Sequence, residues 1–77
     1  MSGRFVIRDR LDSHAYTAFV ALNLAGTGWR LPDGTGWDWC SRENATEFSA
    51  DRGVEVILLI RAMHLDFVNT DLELVPT

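Results

Sequence analysis

Lysine is absent from this 77-residue chain, and all seven of its cations are arginine. That usage fits a GC-rich coding sequence better than any mechanism. Cysteine is nearly absent too. Cys40 stands alone, so no internal disulfide can form, as is usual in a reducing compartment. The two histidines, His14 and His64, have no second His or Cys at ligand spacing, which leaves no zinc-ligand set. No metal or cofactor is therefore expected. The longest apolar run, Val56–Ile60, is far short of the roughly 20 residues that span a bilayer. Ser2, Gly3 and Arg4 follow Met1 with no apolar stretch of signal-peptide length. A cytoplasmic protein without membrane contact is expected.

The apolar fraction, 47%, is that of a globular chain and too high for a disordered one. A single domain over residues 1–77 follows from the length. A domain this short buries only about 60% of the surface its unfolded chain exposes, so it can lean on a partner or a second copy. The net charge of −4 is unevenly spread: residues 1–32 hold four Arg and two acids, residues 33–77 three Arg and nine acids. An acidic surface of this kind repels nucleic acid and suits a basic protein partner, although an acidic surface also serves plain solubility.

The tetrapeptide Gly-Thr-Gly-Trp occurs twice, at Gly26–Trp29 and Gly34–Trp37. Between the copies lies Pro32-Asp33-Gly34. Proline presets φ, aspartate accepts local amide bonds, and glycine takes the left-handed conformation that closes a hairpin with a bulge. The two copies therefore flank a reversal, and the stretch reads as a β-hairpin with a Trp on each arm. Glycine-rich Gly26–Gly28 lacks the lysine and the spacing of a phosphate loop.

Arg4–Arg8 and Ala15–Leu24 read as strands, the second with apolar groups on both faces and so central. Ser41 starts a single turn, after which Ala45 and Phe48 point inward. Ser49 caps a helix over Ala50–His64, with Asp51 in its first turn where the dipole favours an acid. A buried strand is the rival reading of Val54–Ile60, because Val54, Val56, Ile57 and Ile60 are β-branched. Leu72–Val75 closes the chain as an edge strand ahead of Pro76. The expected fold is α+β: a small antiparallel sheet of three to four strands, in the order β-β-β-(β)-α-β, with one main helix packed on it. On that helix Gly53, Val56, Ile57, Ile60 and Met63 face the sheet. Val54, Leu58 and Leu59 fall on its flanks, and Leu58 and Leu59 are candidates for a homodimer contact.

Candidates for chemistry are few. A Cys40/His14 dyad is the candidate nucleophile and base, against the ordinary role of such a cysteine as a small buried hydrophobe. Acid pairs such as Asp33/Asp38 or Glu43/Glu47 carry no weight in a chain with eleven acids. Trp37 and Trp39 share strand parity, so both can enter the core, or one can anchor a partner. An enzyme is not expected.

Taken together, the leading "FVIR" strand, "LNLAGTGWRL", the "GTGWDW" return arm, "NATEFS" before a helix and the last "LELV" resemble very small phage and prophage accessory domains. In these a Trp-bearing hairpin precedes an Ala-Thr-x-Phe segment, here Ala45-Thr46-Glu47-Phe48, that leads into the helix. Small acidic proteins of this type include anti-CRISPR inhibitors. The resemblance implies a non-enzymatic inhibitor in a bacterial host cytoplasm. Its target would be a Cas effector subunit whose basic surface normally holds nucleic acid. Asp33, Asp38, Glu43, Glu47, Asp51 and Glu55 would stand in for phosphates. The basic N-terminal third departs from whole-surface mimicry and favours one acidic face. A homo-oligomeric structural or regulatory domain is the alternative.

Overall fold

The computed structural model describes residues 3–10, 19–23, 28–63 and 71–77. Among these residues five antiparallel strands form one sheet: β1 (Phe5–Asp9), β2 (Phe19–Leu22), β3 (Trp29–Arg30), β4 (Gly36–Cys40) and β5 (Leu72–Pro76). One helix, α1 (Ala50–Ala62), lies between β4 and β5 in sequence, giving the α+β order β-β-β-β-α-β. The spatial order is β3-β4-β2-β1-β5. The sheet thus has one strand more than the upper expectation, because both arms of the Trp hairpin join it. β2 is central, between β4 and β1, as its two-sided apolar pattern predicts. The expected residues 15–18 and 24 of that strand lie outside the described residues.

The reversal forms as its residues dictate. The Gly34 amide donates to the Leu31 carbonyl at 2.8 Å, closing a turn with Pro32 and Asp33 at its corners. Gly34 takes φ 93°, and the Leu31 amide then donates to the Thr35 carbonyl at 2.7 Å. This is the turn-plus-bulge of a three-residue hairpin loop. It sets the register Trp29↔Trp37 and Arg30↔Gly36. The two tryptophans of the repeated tetrapeptide therefore face each other across the ladder.

The strongest departure from a plain meander lies between β1 and β2. These strands pair only at Arg8↔Phe19. Beyond that point the segment 46–48 fills the gap between them. Phe5 and Phe48 exchange backbone hydrogen bonds of 2.9 and 2.7 Å. The Thr46 amide donates to the Val20 carbonyl at 3.1 Å, and its hydroxyl accepts from the Leu22 amide at 2.8 Å. The Thr46 side chain thus replaces a backbone acceptor that a regular neighbouring strand would supply. Ala45 packs with Val6 and Phe19 on one face of the sheet, and Phe48 enters the main core on the other. The Ala-Thr-x-Phe segment is the point where the chain crosses from one face to the other.

Ser49 caps α1 as expected, its hydroxyl accepting from the Arg52 amide at 3.3 Å. Ser41 does not cap the preceding 3-10 turn (Arg42–Asn44); its hydroxyl accepts from the Asn44 side chain at 3.1 Å instead. The helix packs over β1 and β5. Gly53, Val56, Ile57 and Ile60 are its buried residues, and Met63 packs at the core's margin. The helix ends at Ala62, two residues before the expected limit.

Candidate functional site

Strand register assigns each side chain to a face. Ile7, Val20, Trp37, Trp39 and Trp29 share the face that carries α1. Arg8, Phe19, Cys40, Asp38 and Arg30 share the opposite one. On that second face the Arg42 guanidinium lies 5.7 Å over the Phe19 ring.

All six candidate carboxylates are exposed. They divide into two groups of three. Asp33, Asp51 and Glu55 stand on the helix side. Asp33 sits in the β3–β4 turn, where its Oδ1 accepts from the Thr35 amide at 2.9 Å. Its other oxygen lies 3.9 Å from Arg52, which also bonds Glu55 one turn along the helix. One guanidinium thus links the hairpin tip to α1. Asp51 occupies the first helical turn, where the dipole holds an acid favourably. Asp38, Glu43 and Glu47 stand away from the helix side. Asp38 accepts from the Trp39 amide at 2.8 Å. Glu47 pairs with Arg4 at 3.3 Å, and with Glu43 it lines an open cavity beside Val6 and Thr77. The structure therefore joins Asp33 and Glu55 through Arg52, sets Asp51 one turn before Glu55 on the same helix, and leaves Asp38, Glu43 and Glu47 elsewhere.

Asp33 has a consequence for acid stability. The Thr35 amide, first, and then the Thr35 hydroxyl and Arg52 hold its carboxyl below the ordinary value of 3.8. A carboxylate favoured in the folded state stabilises the fold above its unfolded pKa and loses that contribution as pH falls through the folded one. Asn can keep the turn by accepting the same amide but carries no charge. Asp33→Asn is therefore expected to differ from the parent by a constant amount at neutral pH. The gap should shrink as pH falls below about 3.8. Urea unfolding between neutral and acid pH checks this, and an unchanged gap would remove the charge from the argument.

Trp37 is fully buried. Its ring lies 5.2 Å from Trp29 and 5.1 Å, edge-on, from Trp39. Its Nε1 donates to the Met63 sulfur at 3.3 Å. Trp37 is thus a core residue, and of the two candidate anchors only Trp39 retains partial exposure. Of the dimer candidates Leu58 is exposed, whereas Leu59 packs against the main core. Val54, 48% exposed, joins Leu58 on the surface. The helical wheel already held that signal, since Val54 and Leu58 are one turn apart.

Burial, and then the neighbouring Asp38 charge, push the Cys40 thiol up from its ordinary value. This disfavours the thiolate, the reverse of what a nucleophile needs. His14 and His64 lie outside the described residues, and with His14 the proposed dyad. Among the described residues no three His, Cys, Asp or Glu side chains cluster as a metal site, and no helix is long and apolar enough to cross a membrane. Compared with known proteins, the chain matches no family model, no curated protein and no solved structure.

Proposed function

We propose that the chain is a non-enzymatic binding protein that occupies a basic surface of a protein partner through Asp33, Asp51 and Glu55. One observation carries this reading: exposed Asp33 and Glu55 both pair with Arg52 and exposed Asp51 stands one turn before Glu55 on the same helix, while Arg8, Arg30 and Arg42 belong to the opposite side of the sheet. With Asp33, Asp51 and Glu55 against Arg52 and Arg61, these groups keep a net negative charge, and the three acids gather at the hairpin tip and the N-terminal half of the capped helix while Arg61 stands in its last turn. Charge so placed speeds encounter with a basic partner and sets orientation. Trp39, half-buried on the same face of the sheet as α1, supplies aromatic surface. The resemblance to small phage accessory proteins narrows the partner to a nucleic-acid-handling machine, an anti-CRISPR type of inhibition at a Cas effector subunit.

Purified CRISPR effector complexes, loaded with guide RNA, provide the test. Adding the chain is expected to lower their binding to target DNA, and raising salt from about 50 to 200 mM should weaken the effect as screening tightens. The double variant Asp33→Asn/Glu55→Lys should lose the effect at least tenfold, while Asp38→Lys/Glu43→Lys on the other side keeps it. Inhibition that both double variants retain would refute the assignment of the surface. Absence of inhibition across the complexes would refute this class of partner.

A further inference from the structure

The outward stripe of α1 reads Asp51, Val54, Leu58, Arg61, spaced by three, four and three residues on one helix face. Val54 and Leu58 are 48% and 57% exposed, the exposed large hydrophobics among the described residues. An acid stands at the N-terminal end of this apolar pair and a base at its C-terminal end. Turned end for end about a two-fold axis, such a stripe complements itself. Val54 then meets Leu58 of a second copy, and Asp51 meets Arg61 of that copy. We propose that the chain forms an antiparallel two-fold homodimer through this stripe.

The charge order selects the arrangement. Asp51 and Arg61 are ten residues apart, about 15 Å along the helix axis. A parallel pairing sets each charge against its like. The antiparallel pairing satisfies both ends at once and leaves the apolar pair in the centre, where water is excluded. An isologous contact of this kind closes at two subunits.

The sheet edges compete poorly for the same role. Backbone bonds from Arg10 to Asp71 and from Thr77 to Arg4 bracket the β1–β5 ladder. By the alternation of an antiparallel pair, Asp71, Glu73, Val75 and Thr77 face β1, and the amides of Leu72 and Leu74 point outward. Pro76, next in that outward series, has no amide to offer. Two copies paired through the two free amides would set Glu73 directly against Glu73 of the other chain, a like-charge contact. The other edge, β3, is two residues long. Both edges are thus guarded in the way natural sheets guard against edge pairing.

Asp51 is shared with the acidic group of the proposed function, one turn before Glu55 on the same helix, but self-association of the isolated chain needs no partner, so its failure and the failure of that reading are told apart. Four residues of one helix bury less than the ~800 Å² per partner of a standard interface. A weak dimer is expected, with Kd in the micromolar range or above. Sedimentation equilibrium of the full chain over a concentration series tests it. Apparent mass should rise from 8.7 kDa towards twice that value. Leu58→Asp should hold the chain monomeric. Asp51→Arg and Arg61→Asp should each weaken association at least tenfold, and the double charge swap should restore it, since the swapped stripe is again its own complement. Circular dichroism confirms that each variant is folded; the charge swap, made wholly on the helix exterior, stands in if Leu58→Asp does not fold. A parent chain that stays monomeric at millimolar concentration overturns the proposal. So does a dimer indifferent to Leu58→Asp, or a double swap no tighter than the single ones.

Discussion

Trp37→Ala is expected to cost about 3–5 kcal/mol, the range for deleting a fully buried large aromatic. That is comparable to the whole stability of a marginal domain of this length. Trp37 is 0% exposed and sits at the middle of the aromatic row, with Trp29 and Trp39 each about 5 Å from its ring. Leu31, Val20 and Ile60 belong to the same buried cluster, so the ring joins hairpin, central strand and helix. Its one polar atom is satisfied by the Met63 sulfur just past the end of α1. Removing the indole opens a void that three separate elements would have to close together. Urea unfolding measures the loss. Trp37→Phe separates its parts: a ring remains, and only the extra volume and the bond to Met63 go, for about 1–2 kcal/mol. Trp39→Ala, half-buried, should fall well below Trp37→Ala. A loss under about 1 kcal/mol for Trp37→Ala would show that the aromatic row is not the centre of the core.

What the sequence made legible was local. Pro32-Asp33-Gly34 encodes its turn within five residues, and Ser49 with Asp51 encodes the start of α1 within three. The helix face that reaches the sheet follows from a period of 3.6 residues alone. Two things were not legible. The pairing of β5 with β1 joins the two ends of the chain, and no local pattern specifies it. The role of Thr46 was also hidden: its hydroxyl fills a backbone acceptor's place beside Leu22, a need that exists only because β1 and β2 diverge. The candidate site divides in the same way. Charge composition alone predicts that the six acids are exposed. Which acids share a side depends on strand register and on the crossing at residues 45–48. A slip of one residue in β4 would exchange the faces of Trp37 and Asp38. The repeated tetrapeptide carries the same lesson, since its copies do different backbone work: Gly28 has positive φ, whereas Gly36 is a buried strand residue.

Gly28→Ala is expected to destabilise the fold by more than about 2 kcal/mol, and Gly34→Ala by only about 1. Both glycines have positive φ, 80° and 93°, so both alanines bear the left-handed backbone strain. Their surroundings differ. A Cβ on Gly34 meets nothing within 4 Å, because the turn tip is open to solvent. A Cβ on Gly28 would lie 2.5 Å from the Trp37 carbonyl oxygen and 3.1 Å from the Asp38 Cβ. The obstacle is backbone of β4, which is held on its other side by β2, so it has little freedom to retreat. Relief would have to come from β3, at the expense of the Trp29–Trp37 contact that begins one residue later. Asparagine separates strain from collision, because it tolerates left-handed backbone but still has a Cβ. Gly34→Asn should therefore recover most of the loss seen with Gly34→Ala, and Gly28→Asn should recover little of the loss seen with Gly28→Ala. Chemical denaturation of the four variants decides it. Equal rescue at both positions would mean that φ alone selects glycine at residue 28, and that the close approach of β3 to β4 yields without cost.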